Sequence, residues 1–137
     1  MTAPFDTPQD AEDAYYDAID EGDLEAMMAV WEASEEILCL LPMMPAQRGP
    51  SAIHQAWQAI IGDGMKLDIE VKHLSWIESG DLAIHLIEER VAMPGQPQKQ
   101  SVYATNTYRK GADGWRILVH QNSPVPLPPE MMQPDIA

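Results

Sequence analysis

Trp115-Arg116-Ile117-Leu118-Val119-His120-Gln121-Asn122-Ser123 is the stretch around which the chain is organised; it follows the turn Gly111-Ala112-Asp113-Gly114 and stops at Pro124. Its β-branched and aromatic content and its alternation predict a strand. Strict alternation puts Trp115, Ile117, Val119, Gln121 and Ser123 on one side and Arg116, Leu118, His120 and Asn122 on the other. The first set is mostly apolar with an amide near its end, as suits a cavity wall with a polar contact at the mouth.

Working outward, three more period-two runs precede this strand: Lys66 to Glu78, Asp81 to Met93 and Lys99 to Lys110. Turns at Ser79-Gly80, Pro94-Gly95-Gln96-Pro97 and Gly111 to Gly114 join them into an antiparallel meander. Upstream the period is helical. Thr7-Pro8-Gln9-Asp10 caps and opens a helix whose face is Ala11, Tyr15, Ala18 and Ile19, and Glu21-Gly22-Asp23 stops it and caps the next. Leu24, Met27, Met28 and Trp31 recur at helical spacing on the second helix. Ile37 to Leu41 reads as a short buried strand closed by Pro42. Gly49-Pro50 starts a third helix with Ile53, Trp57 and Ile60 or Ile61 inward, ended by Gly62-Asp63-Gly64. Three helices followed by a long, curled antiparallel sheet define an α+β cone open at one end. One domain spans 1–123, and 124–137 forms a Pro/Met-rich tail.

Composition limits function. A chain of 137 residues, 45% of them hydrophobic, has the size and apolar content of one folded domain. Eight Lys plus Arg against 22 Asp plus Glu give a net charge of -14, which argues against nucleic acid or an anionic membrane as partner. Cys39 is alone, the start Met1-Thr2-Ala3-Pro4 lacks a secretory pattern, and no apolar run approaches the ~20 residues of a membrane span; a cytoplasmic location is expected.

Several stretches, in order, resemble the nuclear transport factor 2-like superfamily and, within it, SnoaL-like and ketosteroid-isomerase-like domains: Ala14 to Ala18 leading to Gly22 to Ala26, Leu41-Pro42, Gly49 to Trp57, Ala104 to Arg109, and Trp115 to Ser123. The resemblance implies a cystatin-like cone and a homodimer through the outer sheet face. It also implies that Tyr15, seven positions before Gly22, and Asn106 stand where the isomerases place their two enolate donors. Leu41 stands where those enzymes carry the general base; leucine has no lone pair to accept a proton. Histidines that relatives carry at the positions of Gln121 and Leu41 are absent. The inner face of the second long strand becomes Ala83, His85, Ile87, Glu89 and Val91.

Three readings follow. The leading one is a binding domain for a small apolar molecule bearing a carbonyl or carboxylate, with Tyr15, Glu89, Asn106 and Gln121 as polar contacts and Trp31, Leu41 and Trp57 as walls. An alternative is an acid–base enzyme of isomerase, cyclase or dehydratase type, using Glu89 with Tyr15 and Asn106. A Ser79-Gly80 turn would pair residues summing to 159 and set Glu70 against Glu89, so that one of the two carboxyls stays protonated. The third is a dimeric assembly module using the outer sheet face and the tail, with its cavity filled by its own side chains. His54, His73, His85 and His120 lie on different elements without ligand spacing, so neither a metal nor another cofactor is expected. Alternation places His120 outside.

Overall fold

The computed structural model describes residues 5–92, 95 and 98–125. Its helices are α1 (Pro8–Glu21), α2 (Leu24–Ala29) and α3 (Gly49–Ile61); its strands are β1 (Leu38–Leu40), β2 (Gln47–Arg48), β3 (Asp68–Ser79), β4 (Leu82–Ala92), β5 (Gln100–Gly111) and β6 (Gly114–Pro124). The sheet order is β2-β1-β6-β5-β4-β3. β3 to β6 form the expected meander. β1 adds to the far side of β6 in parallel, a partnership that alternation alone does not reveal. The last strand therefore lies between β5 and β1, and Trp31 meets it too through a bridge to Ile117.

Local chemistry sets the helix ends. The Thr7 hydroxyl accepts from the Asp10 N–H, and the Asp23 carboxylate accepts from the Ala26 N–H, each filling an orphan donor of the first turn. Gly22 adopts φ 66, and a Cβ there would lie 2.8 Å from the Met65 carbonyl oxygen, so both backbone conformation and space require glycine. The helices fill the concave face of the sheet. Tyr15, Ile19, Met27, Ile53, Trp57 and Ile61 bury against Ile37, Cys39, Ile87, Tyr108 and Ile117.

Two β-bulges reset the alternation. Thr107 pairs with Val119 but Tyr108 with Ile117, leaving Leu118 unpaired. Trp115 and Ile117 face inward before it; His120 and Asn122 face inward after it, and Gln121 is turned out to solvent. The single alternation expected along this strand is thus wrong beyond Leu118. The second bulge leaves Leu74 unpaired between His73 and Ser75. The β3–β4 turn is Gly80-Asp81, with Ser79 opposite Leu82, and the Leu74 bulge then shifts the pairing by one, so Glu70 pairs with Arg90 and Val71 with Glu89. Glu70 is exposed and ion-paired to Arg90 and Lys99, and the expected facing of Glu70 and Glu89 does not occur. β6 runs to Pro124. The tail beyond Val125 and most of the Pro94–Pro97 turn lie outside the described residues.

Candidate functional site

A cavity of about 390 Å³ opens between the concave sheet face and the helices. Ile19, Leu41, Met44, Trp57, Leu67, Ile69 and Val102 give it apolar walls, and Met43 stands fully exposed at its mouth. Its polar lining includes Tyr15, Glu89, His120 and Asn122. Glu89 reaches this point because Ala83, His85, Ile87 and Glu89 alternate inward along β4 and are all buried.

Glu89 is held from two sides. The Tyr16 hydroxyl donates to its Oε2 at 2.6 Å and Asn122 Nδ2 to its Oε1 at 2.9 Å. Asn122 Nδ2 also donates to the Tyr103 carbonyl at 3.1 Å, so both acceptors fix the amide's orientation and leave Oδ1 facing His120 Nε2 at 2.9 Å. On the other side of the ring, Asn106 directs Nδ2 toward Glu12 and the Tyr16 oxygen, leaving its Oδ1 2.5 Å from His120 Nδ1. Each ring nitrogen of His120 thus faces an amide oxygen that can only accept. His120 Nε2 lies 3.9 Å from Glu89 Oε2, and the Tyr15 ring packs on the imidazole with centroids 5.0 Å apart. The result is a buried carboxylate–imidazole cluster whose orientation is set by two asparagines.

Asn106 also joins this cluster to a second carboxylate. Glu12, 1% exposed, accepts from the Tyr108 hydroxyl at 2.8 Å and contacts His85 Nδ1 at 2.9 Å and His73 Nε2 at 2.5 Å. Burial alone would raise its pKa, but the hydrogen bonds from His85, Tyr108 and His73 outweigh burial and hold the carboxyl at about 2. Burial also pushes the Tyr15, Tyr16 and Tyr108 hydroxyls well above the usual tyrosine range, with Glu89 adding to the first two and Glu12 to the third. The Cys39 thiol is pushed up to about 12 by burial, which makes it a core group rather than a nucleophile.

Of the residues singled out in the sequence, Tyr15, Leu41, Trp57 and Glu89 come together on the cavity. Asn106 lies behind it as a fully buried node of the network. Trp31 is core, its ring 6.4 Å from Tyr15, with an indole N–H that has no partner. Gln121 is exposed and away from the cavity. Glu12, Tyr16, His120 and Asn122 were not anticipated. Glu12 carries a readable signal, since a carboxylate between Ala11 and Tyr15 lies on the edge of an apolar helix face and must find partners when that face is buried. His120 and Asn122 carry none until the bulge is known.

A protein of Thiobacillus denitrificans described provisionally as a calcium/calmodulin-dependent protein kinase type II association domain shares 32% identity with a TM-score of 0.84, covering 91% of this chain and 100% of that one. A provisional dehydratase of the NTF2-like family from Streptomyces avermitilis shares 25% identity with a TM-score of 0.77, covering 85% and 92%. An NTF2-like protein of Pseudomonas putida, at 20% identity and TM-score 0.75 over 91% and 88%, shares the fold. No functionally curated protein matches the chain. Among the described residues no helix is long and apolar enough to cross a membrane. The family profile described as a SnoaL-like domain matches residues 9–128, nearly the whole folded chain, and the protein belongs to that family within the NTF2-like superfamily.

Proposed function

We propose that the chain binds a small, largely apolar molecule in the cone, with the ligand's polar group meeting Tyr15 and the Glu89–His120–Asn122 end. The observation that carries this is the open cavity of about 390 Å³ with apolar walls and a few converging polar groups. That volume lies in the range of small-molecule sites, roughly 300–1,000 Å³. A domain serving assembly alone would fill this space with its own side chains. Of the two polar groups foreseen for the ligand, a carbonyl fits better than a carboxylate: Tyr15 can donate to it, whereas a second anion beside Glu89 would be repelled.

Dimerisation through the outer sheet face accompanies this reading. Ile77, Leu82, Ile84 and Leu86 project from the outer face of β3 and β4 and are each at least 39% exposed, an apolar patch that a second copy would cover. A relative described as an association domain supports a role in association.

The acid–base enzyme is a second reading, favoured by one observation: Glu89 lines the cavity and shares a proton-bearing network with His120. Both oxygens of Glu89 already accept hydrogen bonds, which opposes its use as a base and leaves binding as the leading function.

Native mass spectrometry of the purified protein, followed by denaturation and identification of released small molecules, tests the proposal. One apolar ligand per subunit, carried or taken up from an apolar mixture and excluded by Leu41→Trp, is the expected result. A folded protein that takes up none would overturn it. With a ligand in hand, Glu89→Gln separates the two readings: retained binding with lost turnover supports the enzyme, and retained binding without any turnover in the parent supports the binding domain.

A further inference from the structure

We propose that Glu12, His73 and His85 form a binding site for a zinc-type divalent transition-metal ion, separate from the apolar cavity. One ligand atom from each, His73 Nε2, His85 Nδ1 and a Glu12 oxygen, lie within 4.8 Å of one another. Metal bonds of about 2.0–2.1 Å would seat an ion among them after small side-chain rotations. Two imidazoles and one carboxylate favour zinc and its first-row neighbours over magnesium or calcium, which take oxygen ligands.

The fold builds this cluster from three elements. α1 supplies Glu12, β4 supplies His85 on its inward alternation, and β3 supplies His73 immediately before the Leu74 bulge. The bulge resets the alternation so that His73 and Trp76 both flank His85, with ring centroids 5.3–5.9 Å apart. Bulges re-aim side chains, and this one aims an imidazole at a buried carboxylate. Tyr108 fixes Glu12 Oε2 at 2.8 Å, with Asn106 at 3.4 Å, while Oε1 meets His73 Nε2 and accepts from the Gln9 amide at 3.3 Å, so an ion would take the place of the direct contacts between the carboxylate and the imidazoles. Such outer partners orient the ligands of metal sites.

Glu12 is almost wholly buried, and among the described residues its ion-pair partners are the two imidazoles, not Lys or Arg. A divalent cation held between the two imidazoles would compensate that buried carboxylate. His73 is 29% exposed and, with Glu12, Asp13 and Asp17, lines an open surface pocket that gives an ion an entry path lined with acid.

The test uses the full-length protein without a histidine tag, after chelator treatment. Zn²⁺ is titrated by calorimetry, and Co²⁺ by the visible spectrum its bound form acquires. The expected result is one ion per chain, competition between Zn²⁺ and Co²⁺, and no matching uptake of Mg²⁺. His73→Ala should weaken binding by more than the roughly 10–100-fold that loss of an outer partner costs. His54→Ala, on the exposed side of α3, should change nothing. Absence of a saturable one-to-one site in the parent protein overturns the proposal whether or not the variants fold, as does a folded His73→Ala that binds Zn²⁺ as tightly as the parent. In either case the three residues are a hydrogen-bonded triad only.

Discussion

Tyr16→Phe removes one oxygen from the centre of the buried network and almost no volume. That oxygen donates to Glu89 at 2.6 Å and accepts from Asn106 at 3.2 Å. A buried hydrogen bond to a charged acceptor contributes roughly 1.5–3 kcal/mol. Asn106 Nδ2 retains Glu12 as an acceptor, so little further cost arises on that side. The expected destabilisation is therefore about 2 kcal/mol, which for a domain of this size lowers Tm by about 8 °C. Urea unfolding at fixed protein concentration measures it, with an unchanged m-value showing that the native state stays compact. A double-mutant cycle with Glu89→Gln then isolates the pair, with an expected coupling on the order of 1 kcal/mol or more. A loss below about 0.5 kcal/mol for Tyr16→Phe, or a coupling near zero, would show that Glu89 is not held as an anion by this hydroxyl.

Other outcomes follow from the same structure. Ile84→Lys puts a charge into the outer apolar patch, and light scattering should find a monomer at concentrations where the parent is a dimer; a monomeric parent would refute the dimer. Gln121→Ala, changing an exposed side chain, should leave ligand affinity within about twofold and stability within about 0.5 kcal/mol, measured by titration and urea unfolding. In alkali, Cys39 and the three buried tyrosines have raised folded pKa values, so the protonated forms contribute stability that is whole below the ordinary thiol and phenol values, ~8.5 and ~10, and lost as pH rises through the raised ones. Tyrosinate absorbance should accordingly appear together with loss of the folded circular dichroism signal, and iodoacetamide should not label Cys39 in the native protein near neutral pH; early, non-cooperative ionisation of these tyrosines would contradict their burial.

Most of the fold was legible because it rests on short-range chemistry. The Thr7 and Asp23 caps, the left-handed Gly22, the apolar faces of α1 and α3 and the period-two strands all announce themselves within a few residues. What local patterns could not show is which strands meet. The parallel pairing of β1 with β6 depends on residues some 80 positions apart, and the β3–β4 register depends on whether Ser79-Gly80 or Gly80-Asp81 makes the turn. The site suffered most from this. Tyr15, Leu41 and Trp57 were readable from apolar helix faces and the short apolar strand, and Glu89 through the family resemblance, which set the inner face of its strand. His120, Asn122 and His73 owe their positions to bulges, which leave no composition signal, and Gln121 was assigned inward by the same omission.

The unpaired Leu118 also bears on how this scaffold can be redesigned. A library meant to reshape the cavity would vary odd-numbered positions of β6 before Leu118 and even-numbered positions after it; one uniform phase would diversify solvent-facing residues across half the strand. Comparison of relatives carries the same hazard, since a single-residue gap placed on the wrong side of Leu118 exchanges a buried imidazole for an exposed amide in the aligned column. Deleting Leu118 would join Ile117 directly to Val119, which already pair with the adjacent Tyr108 and Thr107, so the strand would run in one phase with His120 and Asn122 still inward; the one extra residue is what puts odd and even positions of β6 on the same side of the cone.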